Sequence, residues 1–216
     1  MILCVNYETA HHYGDVLPAQ AKLRYESIVE RQQWEIYSFN KCEYDQYDTP
    51  ATTYFIWRDD DQKVRAVSRI NPTDRPYMLK DIWPELVTKY PMPSSMKIWE
   101  SSRMCIDKNL DPITRKRIVS EIVLAHYEYC TMFGIERVLG VMPPFIFKTV
   151  WQRSGTSMET MGPIKTLEDG TRIVAAWGEC TPEEYAAVIK GTGISEPVLQ
   201  LHQSYVPNEK NLSKAA

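Results

Sequence analysis

The chain has 216 residues, 44% of them hydrophobic and 25% charged, with 25 basic against 28 acidic side chains and a net charge of -3. This composition predicts a folded protein with one substantial core, a single domain over residues 1–205. It excludes a general nucleic-acid binder, which needs a basic surface to neutralise phosphates, and no run approaches the roughly 20 apolar residues of a membrane span.

Residues 1–7 are apolar but only a strand long, without the basic start of a secretory signal. Five cysteines (Cys4, Cys42, Cys105, Cys130, Cys180) are odd in number and contain no C-x-x-C. Reduced thiols and a cytoplasmic location fit this best. The four histidines have no metal-ligand spacing, so no metal is expected.

In chain order, residues 2–6 predict a short strand. Pro18 opens a helix whose apolar face (Leu17, Ala21, Leu23, Ile28, Val29) runs to about residue 32. Residues 35–51 predict a loop holding Glu43, Asp45 and Asp48. Residues 52–58 and 64–70, rich in β-branched and aromatic side chains, predict a hairpin turning at 59–63. Residues 77–90 are broadly helical, with Pro84 opening a second piece and Pro91 and Pro93 ending it. Residues 96–106 predict a strand. Asp111 and Pro112 then cap and open a helix that Gly134 stops.

A buried strand follows at 137–142. Pro143-Pro144 starts a helix to about Ser154, closed by Gly155. Strands at 157–163 and 172–177 are joined by the Glu168-Asp169-Gly170 turn. Thr181-Pro182-Glu183-Glu184 opens a last helix to about Lys190, and 206–216 form a polar, flexible tail. The alternation of strands and helices predicts an α/β fold, a three-layer α/β/α sandwich on a mixed central sheet.

One segment stands apart. Glu100-Ser101-Ser102-Arg103 places two charges and two hydroxyls inside an apolar strand. Burying an unpaired charge costs several kcal/mol, so these residues need partners or a task. Arg24, Trp34, Asp45, Asp48 and Arg69 add further charge and an aromatic face upstream. Their simplest alternative is an ion-pair network that holds a loop.

Taken together, Leu23-Arg24-Tyr25, Asp45-Gln46-Tyr47-Asp48, Arg75-Pro76-Tyr77-Met78-Leu79-Lys80 and Glu100-Ser101-Ser102-Arg103 resemble the signatures of the LuxI-type acyl-homoserine-lactone synthases. The resemblance covers roughly residues 1–190. Ile28 and Met104 depart from it, standing where that family usually has Phe. The resemblance implies a fold related to the GNAT-type N-acetyltransferases. It implies S-adenosylmethionine (SAM) as a substrate, with no permanently bound cofactor. The second substrate would be an acyl thioester on acyl-carrier protein or coenzyme A. The product would be an N-acyl-L-homoserine lactone, a quorum-sensing signal read by a LuxR-type receptor.

On that footing Glu100 is the expected base for the SAM amine. Arg103 would hold the SAM carboxylate or fix Glu100, with Ser102 beside them. Strict strand alternation puts positions 100 and 103 on opposite faces. A shared site therefore demands a bulge or kink near Ser101–Ser102. Arg24, Trp34, Asp45, Asp48 and Arg69 would bind SAM or order an N-terminal lid, the acids suiting its positive groups. Met104, Leu124, Val141, Met142, Phe145, Ile146, Phe147 and Trp151 are candidates for the acyl pocket. Val141 offers no hydroxyl donor, which leans toward a chain without a 3-oxo group. Lys148 and Arg153 are candidates for docking an acidic carrier protein. The alternatives are an N-acyltransferase using acyl-CoA on another amine, or a non-catalytic SAM- or acyl-binding module of the same fold.

Overall fold

The computed structural model of the protein describes residues 1–203; the tail expected at 206–216 lies outside them. Its frame is a nine-stranded sheet in the order β11-β1-β4-β5-β6-β7-β10-β8, with β9 also paired to β10. The central strands are β1 (Ile2–Asn6), β4 (Thr53–Arg58), β5 (Val64–Pro72), β6 (Ile98–Ile106), β7 (Arg137–Met142) and β10 (Arg172–Glu179). Short edge pieces are β8 (Glu159–Thr160), β9 (Lys165–Thr166) and β11 (Leu199–Gln200). The pairs β6–β7 and β1–β11 are parallel and the others antiparallel, so the sheet is mixed.

Side chains alternate between two apolar layers, as a doubly covered sheet requires. Ile2, Cys4, Phe55, Val138, Met142, Val174 and Ala176 meet the helix α3 (Pro112–Phe133). On the other face, Leu3, Val5, Tyr54 and Ile56 belong to the cluster under the helix α1 (Val16–Arg24). Leu139, Ile173, Ala175 and Trp177 on that face pack with Leu79 of α2 (Met78–Ile82) and with Leu86. The buried polar site lies between these last two clusters.

Helix α3 follows its sequence signals closely. Asp111 accepts from the Ile113 and Thr114 amides at 2.9 and 3.0 Å, and Gly134 closes the helix at φ 66°. The last helix, α5 (Pro182–Thr192), is capped by Thr181 Oγ1 on the Glu184 amide.

Other expectations need correction. The first helix starts at Val16, and Tyr25–Glu30 continues it as a wider π-helical segment. The expected loop at 35–51 contains a small ribbon, β2 (Ser38–Phe39) and β3 (Cys42–Glu43), turned by Asn40 and Lys41 at positive φ. The helix expected over 77–90 is only α2 and one 3-10 turn at Pro84–Leu86, because Pro84 cannot continue the hydrogen bonding of α2. Pro144–Ile146 (α4) runs into a π turn, Phe147–Trp151, and a 3-10 turn, Gln152–Ser154. The strand expected at 157–163 is reduced to β8, and the turn at 168–170 joins β9 to β10. Strand β11 has no counterpart in the sequence analysis.

Candidate active site

The site is built on an irregularity in β6. Val67 faces Cys105 and Arg69 faces Ser102, so Ser68 alone opposes both Arg103 and Met104. Arg103 adopts φ 55°, uncommon for a residue with a Cβ. This is the expected bulge, lying at Arg103–Met104, two positions beyond the place predicted. Its effect is to put consecutive residues, Ser102 and Arg103, on the face that Glu100 occupies. Ser101 points through to the α3 side.

On the Glu100 face lies a buried ion-pair network. Arg24, fully buried, reaches both oxygens of Asp48 (2.8 and 2.9 Å) and Glu43 (2.5 Å). Arg69, also fully buried, pairs with Asp45 at 2.5 and 3.1 Å, lies 3.0 Å from Asp48, and donates to Ser102 Oγ at 3.0 Å. Arg103 binds Glu43 at 3.1 Å and Asp45 at 2.8 Å. Three arginines thus balance three carboxylates, and Tyr54 donates a further hydrogen bond to Asp48. Burial pushes the Asp48 carboxyl up, but the Arg24 hydrogen bond and the Arg69 and Arg24 charges outweigh it and hold the carboxyl well below the usual range.

These contacts bear on two expectations. Asp45 and Asp48 pair with Arg69 and Arg24, as both an ordered N-terminal lid and a loop-holding ion-pair network require. Arg103 pairs with Glu43 and Asp45 and does not bind Glu100. Glu43, by sequence only a loop acid, completes the network; its closeness in sequence to Asp45 and Asp48 is the one signal that points to it.

Glu100 is 1% exposed and accepts from the backbone N–H groups of Met78 (2.9 Å) and Leu79 (2.7 Å). Burial pushes its carboxyl up to about 7, partly offset by those two N–H groups and by Arg69 and Arg103. Such a carboxyl changes charge near neutrality, as a general base must. Met78, absent from the candidate set, also sets its sulfur 3.3 Å from both Arg69 and Arg103.

Beyond Glu100 and Leu139 the parallel pairing of β6 with β7 ends. A cavity of about 690 Å³ occupies the opening, a size suited to a small-molecule ligand. Glu100, Ser102, Arg103 and Trp34 line it, together with Met104, Val141, Met142, Phe145, Ile146 and Trp151 from the acyl candidates. Leu124 and Phe147 belong to the packed core and do not line it; their apolar character served the α3 layer. Ile28, one of the two departures from the family pattern, also lines it; unanticipated lining residues include Trp83, Val119 and Val150. A second hollow of about 480 Å³ has Glu43 and Asp45 in its wall, and Arg103 borders both spaces. Lys148 and Arg153 are exposed on the turns after α4. Among the described residues no group of His, Cys, Asp and Glu is arranged to hold a metal, and no helix is long and apolar enough to cross a membrane.

A family model described as autoinducer synthase matches residues 5–188. The chain belongs to that family. It is 29% identical over 205 residues to the acyl-homoserine-lactone synthase of Ralstonia nicotianae, covering 89% of this chain and 100% of that one. The corresponding enzyme of Acinetobacter nosocomialis is 37% identical over 101 residues, covering 46% of this chain and 55% of that one. In three dimensions the chain matches BjaI, a CoA-dependent acyl-homoserine lactone synthase solved with SAM and isopentyl-CoA. The TM-score is 0.85 at 24% identity, over 98% of this chain and 99% of that one. A protein from Lactobacillus plantarum described as an N-acetyltransferase matches with a TM-score of 0.54 at 14% identity, over 83% and 99% of the two chains. The α/β fold related to the N-acetyltransferases, expected from the sequence, is the one observed.

Proposed function

We propose that this chain joins the acyl group of a thioester to the amine of S-adenosylmethionine and closes the product to an N-acyl-L-homoserine lactone. The observation that carries this is Glu100, a buried carboxyl held by the Met78 and Leu79 amides in the wall of a largely apolar cavity. Each of its oxygens keeps a lone pair beyond the one facing a backbone N–H. In the first step the amine nitrogen attacks the thioester carbonyl. A C–N bond forms and the C–S bond breaks; Glu100 takes the proton the amine loses and passes it to the departing thiolate, so the carrier leaves as its thiol. In the second step the substrate's own carboxylate attacks the carbon beside the sulfonium. A C–O bond forms, a C–S bond breaks, and the electron pair goes to sulfur, releasing 5'-methylthioadenosine. Here the enzyme's task is to fold the substrate into attack geometry.

Arg103, bordering both hollows, suits the SAM carboxylate, and Trp34 offers an aromatic face to the sulfonium or adenine. Ser102 acts through Arg69 as a positioning residue. Met104, Val141, Met142, Phe145, Ile146 and Trp151 would surround the acyl chain. Lys148 and Arg153 offer positive charge to an acidic acyl-carrier protein, with acyl-coenzyme A as the other donor. Synthesis would take place in the cytoplasm, and the lactone would be read by a LuxR-type receptor.

Mass spectrometry of medium from cells expressing the chain, against an empty-vector control, tests the proposal. Purified protein with SAM and a panel of acyl thioesters completes the test. A homoserine-lactone fragment with a defined acyl mass supports it. Folded protein that yields no lactone from any thioester rejects it.

A further inference from the structure

Ser101 faces away from the ion-pair network, toward α3, and lines the apolar cavity. Its hydroxyl lies 2.8 Å from Nε2 of His126, which is 0% exposed. The other ring nitrogen of His126, Nδ1, lies 2.7 Å from the Ile122 carbonyl oxygen. A carbonyl only accepts, so Nδ1 carries the proton and Nε2 is the acceptor. Burial pushes the imidazole down to about 4, against the opposing Ile122 hydrogen bond, so it is neutral at physiological pH. Ser68 Oγ lies 3.4 Å from both Ser101 Oγ and His126 Nε2, a looser third member of the cluster. Phe55 and Trp151 pack edge-on against the ring and seal it.

This chain of hydrogen bonds fixes the polarity of Ser101. Its only proton is spent on His126. Toward the cavity it presents lone pairs alone. We propose that Ser101, oriented by His126, is a built acceptor in the acyl half of the cavity that selects acyl chains carrying a hydroxyl near the thioester, the 3-hydroxyacyl class. Ser101 follows Glu100 in β6 and, from the opposite face of the strand, lines the same cavity, so the two flank the stretch of acyl chain nearest the thioester. A 3-hydroxyl donates to Ser101. A 3-oxo group, which only accepts, meets lone pair with lone pair. A plain methylene leaves the Ser101 oxygen dry and partly unsatisfied.

The inference rests on the lactone-synthase proposal, and the experiment separates the two. Purified full-length chain is assayed with SAM and matched sets of unsubstituted, 3-hydroxy and 3-oxo thioesters, on carrier protein and on coenzyme A, at several chain lengths. The readout is the ratio of kcat/KM within one enzyme, which is independent of the fraction correctly folded. The 3-hydroxy chain is expected to exceed the unsubstituted one by about tenfold, the size of one neutral hydrogen bond, with the 3-oxo chain last. Ser101→Ala is expected to bring the hydroxy-to-unsubstituted ratio close to one. His126→Leu removes the acceptor and frees the Ser101 proton, so the 3-oxo chain is expected to gain on the 3-hydroxy chain. A wild type indifferent to the 3-hydroxyl, or a Ser101→Ala variant that keeps the preference, overturns this inference alone. No lactone from any thioester overturns both proposals.

Discussion

Glu100 owes its behaviour to where its two oxygens are held. The Met78 and Leu79 amides fix the carboxyl in a dry site without an arginine in direct contact, so burial dominates and the group titrates near 7. Only the ionised form accepts the amine proton. The kcat/KM profile is therefore expected to rise with pH through about 7, and an acidic limb centred near 4 would remove Glu100 as the base. Glu100→Gln is expected to fold and to lose about 10²–10⁴-fold in kcat, the usual share of a general base. The neighbouring arginines behave differently. Arg24 is surrounded by Asp48 and Glu43, and removing one partner of a buried pair strands the others. Arg24→Met is expected to lower stability by about 3–5 kcal/mol in urea unfolding. A loss under about 1 kcal/mol would mean that water reaches the site.

At the scale of the element, one extra residue in β6 does the positioning. The bulge turns Arg103 onto the Glu100 face and lets alternation resume at Met104, which then packs on the α3 side. Beyond it, Gly140 of β7 passes close to β6: a Cβ there would lie 2.9 Å from the Ser101 carbonyl oxygen. Gly140→Ala is expected to cost about 1–3 kcal/mol by pushing the strands apart, visible as a lowered Tm. Acyl-chain preference should shift with it, since Ser101 and Val141 flank the contact. Helix α3 is held at its start by the Asp111 side chain on two amides. Asp111→Ala is expected to cost about 1 kcal/mol without altering the pH profile of turnover.

Over the whole molecule, the mixed sheet makes the cavity possible. Antiparallel pairing runs continuously from β1 to β6, whereas β6 and β7 stay together only from Ile98 to Glu100 and then part. The opening sits between layers supplied by α3 and α1, so catalytic carboxylate and apolar pocket share one space. The same burial gives stability an opposed pH dependence. Glu100 has a raised pKa in the folded state, so its stabilisation is complete below its unfolded value, about 4.3, and is lost as pH rises through about 7. Asp48 is depressed, so its stabilisation is present above its unfolded value, about 3.9, and is lost as pH falls below that. The urea midpoint of Glu100→Gln relative to wild type is accordingly expected to be higher at about pH 8 than at about pH 5.

The sequence by itself determined much of this protein. Apolar alternation placed the central strands, Asp111, Pro112 and Gly134 bounded α3, and charge inside an apolar strand singled out Glu100 and Arg103. These are local signals, written within a few residues of where they act. Tertiary structure decided what those charges touch. It turned Arg103 to Glu43 and Asp45, gave Glu100 two backbone amides from α2, and drew Asp45 and Asp48 into arginine pairs. It also separated Leu124 and Phe147, in the core, from Met104 and Trp151 on the cavity wall, although all four are apolar. It brought Ser101 to His126 across 25 residues of sequence. Partners that distant in the chain leave no periodicity or spacing to detect, because packing between layers chooses them.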